Sequence, residues 1–582
     1  MEEIKNPAVR TGEGIEEHAL NVVDTVPQSE HEVNINDETF GGEEDERHDV
    51  TAETAPAIVV PQSAKAAWIA ELTRRAMEMM AQPKGDDAQP ALAPVRAGQV
   101  LVETVPIRWL GDYMMVYIPE LGHWAPAKYL LTQMLTEFIP TLRPTYGLRQ
   151  VEEILKHAGV QTPNYTEGDQ PNRAELLAKT WDAQPFITFA NGDLHVPSMR
   201  LLPHSADHRT TWGVPFDWDP KAQSAKLDAF LRSAIPDDVS RKNYLAFVGY
   251  ALARYDTSQH SFVYLKGHGS NGKSLALKLD RRLFGAYWSN TSLGKLVGSR
   301  FGATNLVFSA LNFVGDQDAV FLSTTELLKE LTGFDAIEAE RKFRDAFPFV
   351  AKTKFMFAVN GLPKVKDVSH GFFRRPLIVE FPTQFRQNAQ YEQSLLTDDT
   401  VVQALAVHAI EAYREMLKHG GFWIEGRTKE LIDEYRADND VVFDAVKNGL
   451  IYSDPFAKIV PWSLTPLINL YGAEQQRERL SQSVILERLG HAGITCTKKR
   501  ESHGARERYI HGIGVDADAA RALVNRAAIA GMDGRSTVNI GNRRVDTEEL
   551  LDAWGVDKMD AEPTVSDPDI VQIFGGGEST WI

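Results

Sequence analysis

An α/β fold built on a phosphate-binding strand, loop and helix is what this sequence predicts, on three observations. Residues 262 to 274, FVYLKGHGSNGKS, run from an apolar strand through three glycines into a lysine and a serine. Two further apolar runs, LNFVGDQD (311 to 318) and KTKFMFAVNGLP (352 to 363), end in polar residues, as strands buried on both faces of a parallel sheet do. A helical pattern, KSLALKLDRRLF (273 to 284), follows the glycine loop and is closed by Gly285.

At 582 residues the chain has room for roughly four average domains. No run approaches the roughly 20 apolar residues that span a bilayer, and the start, MEEIKNPAVR, lacks the basic-then-apolar order of a secretory signal. A cytoplasmic protein without a membrane partner is expected. Cys496 is the single cysteine, which excludes an intramolecular disulfide and a multi-cysteine zinc site. The net charge is −18, but residues 1 to 50 hold 15 acids against Lys5, Arg10 and Arg47, leaving −6 for the other 532 residues. The total therefore does not exclude a nucleic-acid partner, because a local basic channel decides binding.

Taken in chain order, residues 1 to 64 are acidic and aperiodic and predict a disordered arm. A module of mixed α+β character is expected over 65 to 200. It opens with an amphipathic helix at 65 to 83, spaced by Trp68, Ile69, Leu72, Ala76 and Met79, and a linker, PKGDDAQPALAP. Residues 201 to 258 form a helical region, with two helices around the breaker IPDD. The P-loop core follows at 259 to 385. Over 386 to 515 helices dominate. There PWSLTPLINLYG, SQSVILERLGHAGI and the basic strand pair TKKRESHGARERYIHG predict a winged helix. No role is read for the tail, 516 to 582.

The spacing Gly267, four residues, Gly272, Lys273, Ser274 matches the phosphate-binding loop. Backbone N–H groups across Gly267, His268, Gly269, Ser270, Asn271 and Gly272 would face phosphate oxygens at the positive end of the helix. Lys273 would neutralise the β- and γ-phosphates of ATP, and the Ser274 hydroxyl would ligate Mg²⁺. LNFVGDQD offers Asp316 as the metal-side acid, with Asp318 a weaker candidate for the base that activates water. Asn360, at the end of the next strand, can orient water or touch the γ-phosphate. Arg374 and Arg375 precede another strand in GFFRRPLIVEF, and a guanidinium fork suits a transferring phosphoryl group.

The ordered set GHGSNGKS, LNFVGDQD, KELTGFDAIEAERKF, FMFAVNGLP and GFFRRPLIVEF resembles the superfamily 3 helicases, and more closely the phage and poxvirus-type primase-helicase family. FITFANGDLHV (186 to 196) and VPFDWDP (214 to 220) look like that family's region upstream of the ATPase, so the resemblance spans roughly 100 to 515. It implies an AAA+ type ATPase core and a hexameric ring that threads single-stranded DNA and opens forked DNA with ATP and Mg²⁺. By position Asn360 would be the sensor and Arg375 the inter-subunit arginine finger, with Arg374 as fallback. A hairpin gripping DNA in the pore would carry Lys342, Phe343 and Arg344 at its tip, two cations bracketing a ring. Lys498, Lys499 and Arg500, with Arg506 and Arg508, would form the wing, in contact with phosphate or merely solvated.

Primase chemistry needs clustered carboxylates for two metals, and 65 to 200 has no Asp-x-Asp or Asp-x-Glu closing an apolar strand. Asp86 and Asp87 sit in the linker. A helicase served by a separate primase or other replisome proteins is therefore expected. Two alternatives stand beside it: a bifunctional primase-helicase with a divergent polymerase, and an initiator that binds origin DNA with ATP as an assembly switch.

Overall fold

The computed structural model describes residues 61–81, 90–162, 173–298, 300–317, 321–339, 347–500, 508–530, 537–540 and 543–554. The acidic arm up to residue 60, Asp318, Arg506, and the expected hairpin tip of Lys342, Phe343 and Arg344 lie outside the described residues.

Helix α1 (Gln62–Arg74) buries Trp68 and Leu72, as its spacing predicts, but stops short of residue 83. A 3₁₀ turn (Ala76–Met79) takes over, because Met79 is drawn fully into the core and Ala81 pairs with Ala91. The expected linker is thus partly ordered: its Pro94 opens α2 (Pro94–Thr104), where a missing N–H costs nothing. Strands β1 (Ile107–Leu110), β2 (Tyr113–Ile118) and β3 (His123–Pro126) make an antiparallel sheet. Helices α3 (Ala127–Leu142) and α4 (Leu148–Gln161) complete this core with Leu131, Leu135, Phe138 and Ile154. A second antiparallel sheet follows, β4 (Phe186–Phe189), β5 (Gly192–His195) and β6 (Arg200–Leu202).

The IPDD breaker separates α5 (Ala225–Ala234) from α6 (Asp238–Leu252), and Asp237 caps α6 by accepting the Ser240 N–H at 2.7 Å. Next come β7 (Phe262–Lys266), α7 (Lys273–Phe284), β8 (Trp288–Ser289) and β9 (Leu311–Gln317). Helix α8 (Glu326–Gly333) leads into an antiparallel pair, β10 (Ala336–Ala339) with β11 (Phe347–Val350). Strands β12 (Lys354–Val359) and β13 (Pro376–Glu380) complete a five-stranded sheet, parallel throughout, in the order β8-β9-β12-β7-β13. The molecule is thus of α/β class. Strand β7 lies between β12 and β13, and its Phe262, Val263, Tyr264 and Leu265 are fully buried.

Helix α9 (Asp399–His419) lies so close to α6 that a Cβ on Gly249 would come within 2.1 Å of the Ala409 carbonyl oxygen. Helix α10 (Gly426–Ala437) then leads to a separate core. There β14 (Ile451–Ile459), β15 (Thr497–Arg500) and β16 (Arg508–Val515) form an antiparallel sheet in the order β14-β16-β15. Its partners are α11 (Pro461–Glu474), α12 (Gln482–His491) and α13 (Ala517–Ala530). This core reaches past residue 515. Leu523 and Val524 are buried in it, and the Trp554 indole donates to the Ser463 carbonyl at 2.9 Å.

Candidate active site

Parallel strands present all their carboxyl ends on one side of the sheet, where open α/β sheets hold ligands. Lys266 of β7 is level with Val359 of β12 and with Glu380 of β13, and Val359 is level with Gln317 of β9. The glycine loop, Asn360 and Asp316 therefore leave the sheet along one row. For Asp316 the backbone position on β9 is described and the side chain is not.

Strand β7 ends when the Gly267 N–H donates to the Val359 carbonyl at 3.1 Å and the chain turns away. Gly267 has no room for a side chain: a Cβ would lie 1.9 Å from Asn271 Nδ2 and 2.5 Å from the Phe381 carbonyl oxygen. Asn271 is buried and staples the loop, its Nδ2 donating to the Phe381 carbonyl at 3.1 Å and its Oδ1 accepting the Lys273 N–H at 3.4 Å. The loop closes through two left-handed residues, Ser270 (φ 58°) and Gly272 (φ 88°). At Ser270, a residue with a Cβ, that conformation costs of order 1 kcal/mol, a strain that gathers at binding sites. His268, Gly269, Ser270 and Ser274 are exposed.

Helix α7 then starts at Lys273, its first turn opening on a cavity of about 710 Å³. The Lys273 side chain is 6% exposed, and its ammonium donates to the Gly267 carbonyl and to Asn360 Oδ1 at 3.2 Å. A buried cation therefore sits in the loop, against the amide the sequence nominates on the neighbouring strand. The far wall is one the sequence reading missed: Phe230 from α5, with Phe385, Asn388 and Tyr391 from the segment after β13. The Phe385 N–H ties that segment to the loop by donating to the Ser270 carbonyl at 2.7 Å. No sequence pattern marks these residues; only tertiary packing brings them to the loop.

The two arginines lie at the other end of the sheet. Phe262, the first residue of β7, donates its N–H to the Arg375 carbonyl at 3.1 Å, whereas the glycine loop leaves the last. Four strand residues, about 13 Å, separate these levels. Arg375 is 8% exposed, and its guanidinium is spent within its own chain, on Thr332 Oγ1 at 3.1 Å and on the carbonyls of Gly371 and Lys329. Burial, with Arg374 beside it, holds its pKa below the ordinary arginine value. Arg374 is exposed and donates to His260 Nδ1 at 3.4 Å.

The antiparallel pair β10 and β11 forms the two arms between which the expected hairpin tip falls, with Ala339 opposite Phe347. Lys498, Lys499 and Arg500 form strand β15, and Arg508 begins β16; their side chains are not described. Lys352, just before β12, docks the segment around residue 180 onto the sheet. Its buried ammonium donates to the carbonyls of Ala178, Trp181 and Asp182 at 2.6 to 2.9 Å, and burial pushes its pKa down to about 8. Among the described residues no helix is long and apolar enough to cross a membrane.

Comparison with known proteins gives two family matches. Residues 100–236 match the family described as D5 N terminal like, and residues 265–375 match a family of unknown function, DUF5906. The helicase-named protein L207/L206 of Acanthamoeba polyphaga mimivirus is 23% identical over 252 residues, covering 39% of this chain and 26% of that protein. The match thus spans about a quarter of that relative's length. Two solved structures of the NrS-1 C-terminal region are similar at TM-scores of 0.43 and 0.40. Each is 12% identical and covers 72% of this chain, with 100% and 99% of the respective structures matched.

Proposed function

We propose that this chain is an ATP-dependent DNA helicase of the superfamily 3 primase-helicase type, with an AAA+ core and a C-terminal winged helix. The observation that carries the reading is the placement of the Lys273 ammonium. It is buried in a glycine cradle between Gly267 and Asn360, at the carboxyl ends of adjacent parallel strands and against a nucleotide-sized cavity. The D5 N-terminal-like region and the likeness to a helicase-named viral protein support the class of motor.

In this reading the cradle holds the phosphates of ATP. Gly267 is packed against Asn271 and Phe381 and fixes the turn, whereas beside Gly269 there is open space, so there the backbone itself is what a phosphate would meet. Lys273 would exchange its carbonyl and amide partners for phosphate oxygens, leaving Asn360 to hold the attacking water. Ser274 and Asp316 would hold Mg²⁺, which supplies charge neutralisation across the phosphates. Phe230, Phe385 and Tyr391 form the apolar side of the cavity, suited to a base.

Arginine assistance has to come from a neighbouring subunit, since both arginines lie a strand's length from the loop of their own chain. Arg374 takes that role in this reading because it faces outward, while Arg375 holds α8 in place. A homo-hexameric ring with single-stranded DNA in its bore is the assembly that the resemblance implies, and an arginine acting from a neighbouring subunit is compatible with it. In this reading Lys342, Phe343 and Arg344, which fall in sequence between the β10 and β11 arms, would be the residues that grip the strand.

The test is unwinding of a forked duplex with ATP and Mg²⁺ by wild type and by Lys273→Ala, with hydrolysis followed with and without single-stranded DNA. Loss of both activities in the variant is expected. Hydrolysis without strand separation in the wild type would sink the helicase reading and favour the initiator.

A further inference from the structure

The sheet β14-β16-β15 has two unlike faces. Ile451, Ile459, Ile510 and Ile513 point inward and are fully or almost fully buried. Tyr452 and Lys458, alternating with them, lie on the outer face, where the Lys458 ammonium sits over the Tyr509 ring at 4.6 Å. Tyr452 covers its cross-strand partner Gly514 so closely that a Cβ there would come within 2.4 Å of the ring.

Strand β14 breaks register on this sheet. Asp454 pairs with Gly512 and Lys458 with His511, so residues 455 to 457 have no counterpart on β16 and are pushed out as a bulge. The bulge is built: the Phe456 N–H donates to the Asp454 carboxylate at 2.9 Å. Its product is a phenylalanine 96% exposed, which no packing requirement explains. The charge is as uneven as the exposure. Over the three strands Lys458, Lys498, Lys499, Arg500 and Arg508 stand against a single acid, Asp454, and by register Lys499, opposite the outward Tyr509, shares the outer row with Lys458, whereas Lys498 lies opposite the inward Ile510.

We propose that this sheet is a stacking platform for single-stranded DNA, with Phe456 the residue on which an unpaired base rests. A benzyl ring offers a face and no hydrogen-bonding group, so it suits any unpaired base and cannot read paired ones. Lys458 and, by its register opposite Tyr509, Lys499 supply the phosphate attraction. Duplex readers of winged-helix type instead place a helix in the major groove, which would leave this bulge idle. The platform deepens the helicase reading, on which its choice of DNA rests, by naming where a strand is held outside the ring core.

The test measures affinity of the full chain for a labelled oligothymidylate of about 20 nucleotides and for a duplex of equal length, using wild type, Phe456→Ala and Phe456→Trp. Stacking predicts about a tenfold or greater loss for the oligothymidylate in Phe456→Ala, restored in Phe456→Trp, with duplex affinity unmoved. The dependence on salt should keep its slope, because the ring releases no counterions. Equal melting midpoints of the three proteins guard against misfolding. Wild-type affinity in Phe456→Ala, an equal loss for duplex, failure of Phe456→Trp to restore binding, or a wild type that ignores the oligothymidylate would each overturn the platform. If ATP-driven unwinding persists alongside such a result, the helicase reading survives it. If Phe456-dependent binding appears without unwinding, the platform stands and that reading falls.

Discussion

Asp280 gives the sharpest physical test of the core that carries the candidate site. It lies on α7, two turns beyond Lys273, is fully buried, and has both carboxylate oxygens facing the Tyr244 hydroxyl of α6, at 3.1 and 3.0 Å. Burial pushes its pKa up to about 7 from an ordinary 3.8, with the Tyr244 hydroxyl opposing the rise. The folded chain then keeps a proton that the unfolded chain has already released. Below about pH 4 both forms are protonated and the site carries no penalty; between about pH 4 and 7 stability falls as pH rises; above 7 the full cost is present. At about 1.4 kcal/mol per pH unit the cost reaches about 4 kcal/mol.

The variant Asp280→Asn keeps the size and accepts the Tyr244 hydrogen bond, but does not titrate. It loses one hydrogen bond's worth, about 1–3 kcal/mol, at every pH, because its NH₂ group lacks the acceptor a carboxylate would not need. Measured against wild type, the variant should therefore gain about 2–3 kcal/mol between about pH 5 and pH 8, the roughly two pH units of the titration that lie in that window. Urea unfolding read by tryptophan fluorescence suits the test, since Trp212 stacks on Phe284 at the end of α7 and Trp288 lies under Arg281 of the same helix. A gap between the two proteins that is the same at both pH values would refute the argument.

Further substitutions probe the site and its surroundings. Gly267→Ala should weaken binding of a fluorescent ATP analogue at least tenfold, because the new methyl must break the Asn271 bond to Phe381, an overpacking of about 1–3 kcal/mol; affinity within twofold of wild type would count against the cradle. Arg375→Ala should lower the melting midpoint by leaving Thr332 and two carbonyls without their donor, whereas Arg374→Ala should melt as wild type does. Mixing Arg374→Ala with Lys273→Ala should restore part of the hydrolysis, because some interfaces would pair an intact loop with an intact finger. Failure to complement would remove the trans assignment.

The central strands were legible because a strand buried on both faces has to be written as a continuous apolar run, as in FVYL and FMFAV. Helix α7 begins at the lysine of the motif and ends at Gly285, whose φ of 57° is a conformation that favours glycine. Other features depend on what the chain meets in space. Strand β8 has two residues, too few for any period. Strand β14 is mostly exposed and interrupted by Pro455, so it carries no hydrophobic alternation. Arg374 and Arg375 are identical letters, and only packing against α8 sends one inward and the other out. The aromatic wall of Phe230, Phe385 and Tyr391 joins segments about 160 residues apart, a distance over which periodicity is silent.

The sheet order bears on how the chain is made. Strand β7 sits between β12 and β13, which are synthesised about 90 and 110 residues after it. At a ribosomal pace of about 5–20 residues per second, the emerging Phe262 to Leu265 run waits roughly 5–20 s for both flanking partners. Its ladder groups and apolar side chains stay open to other nascent chains throughout that delay. Yield in a cell should then respond to holdase chaperones and to lower growth temperature more than to the stability of the finished fold, because a strand paired on both sides is made before either of its partners.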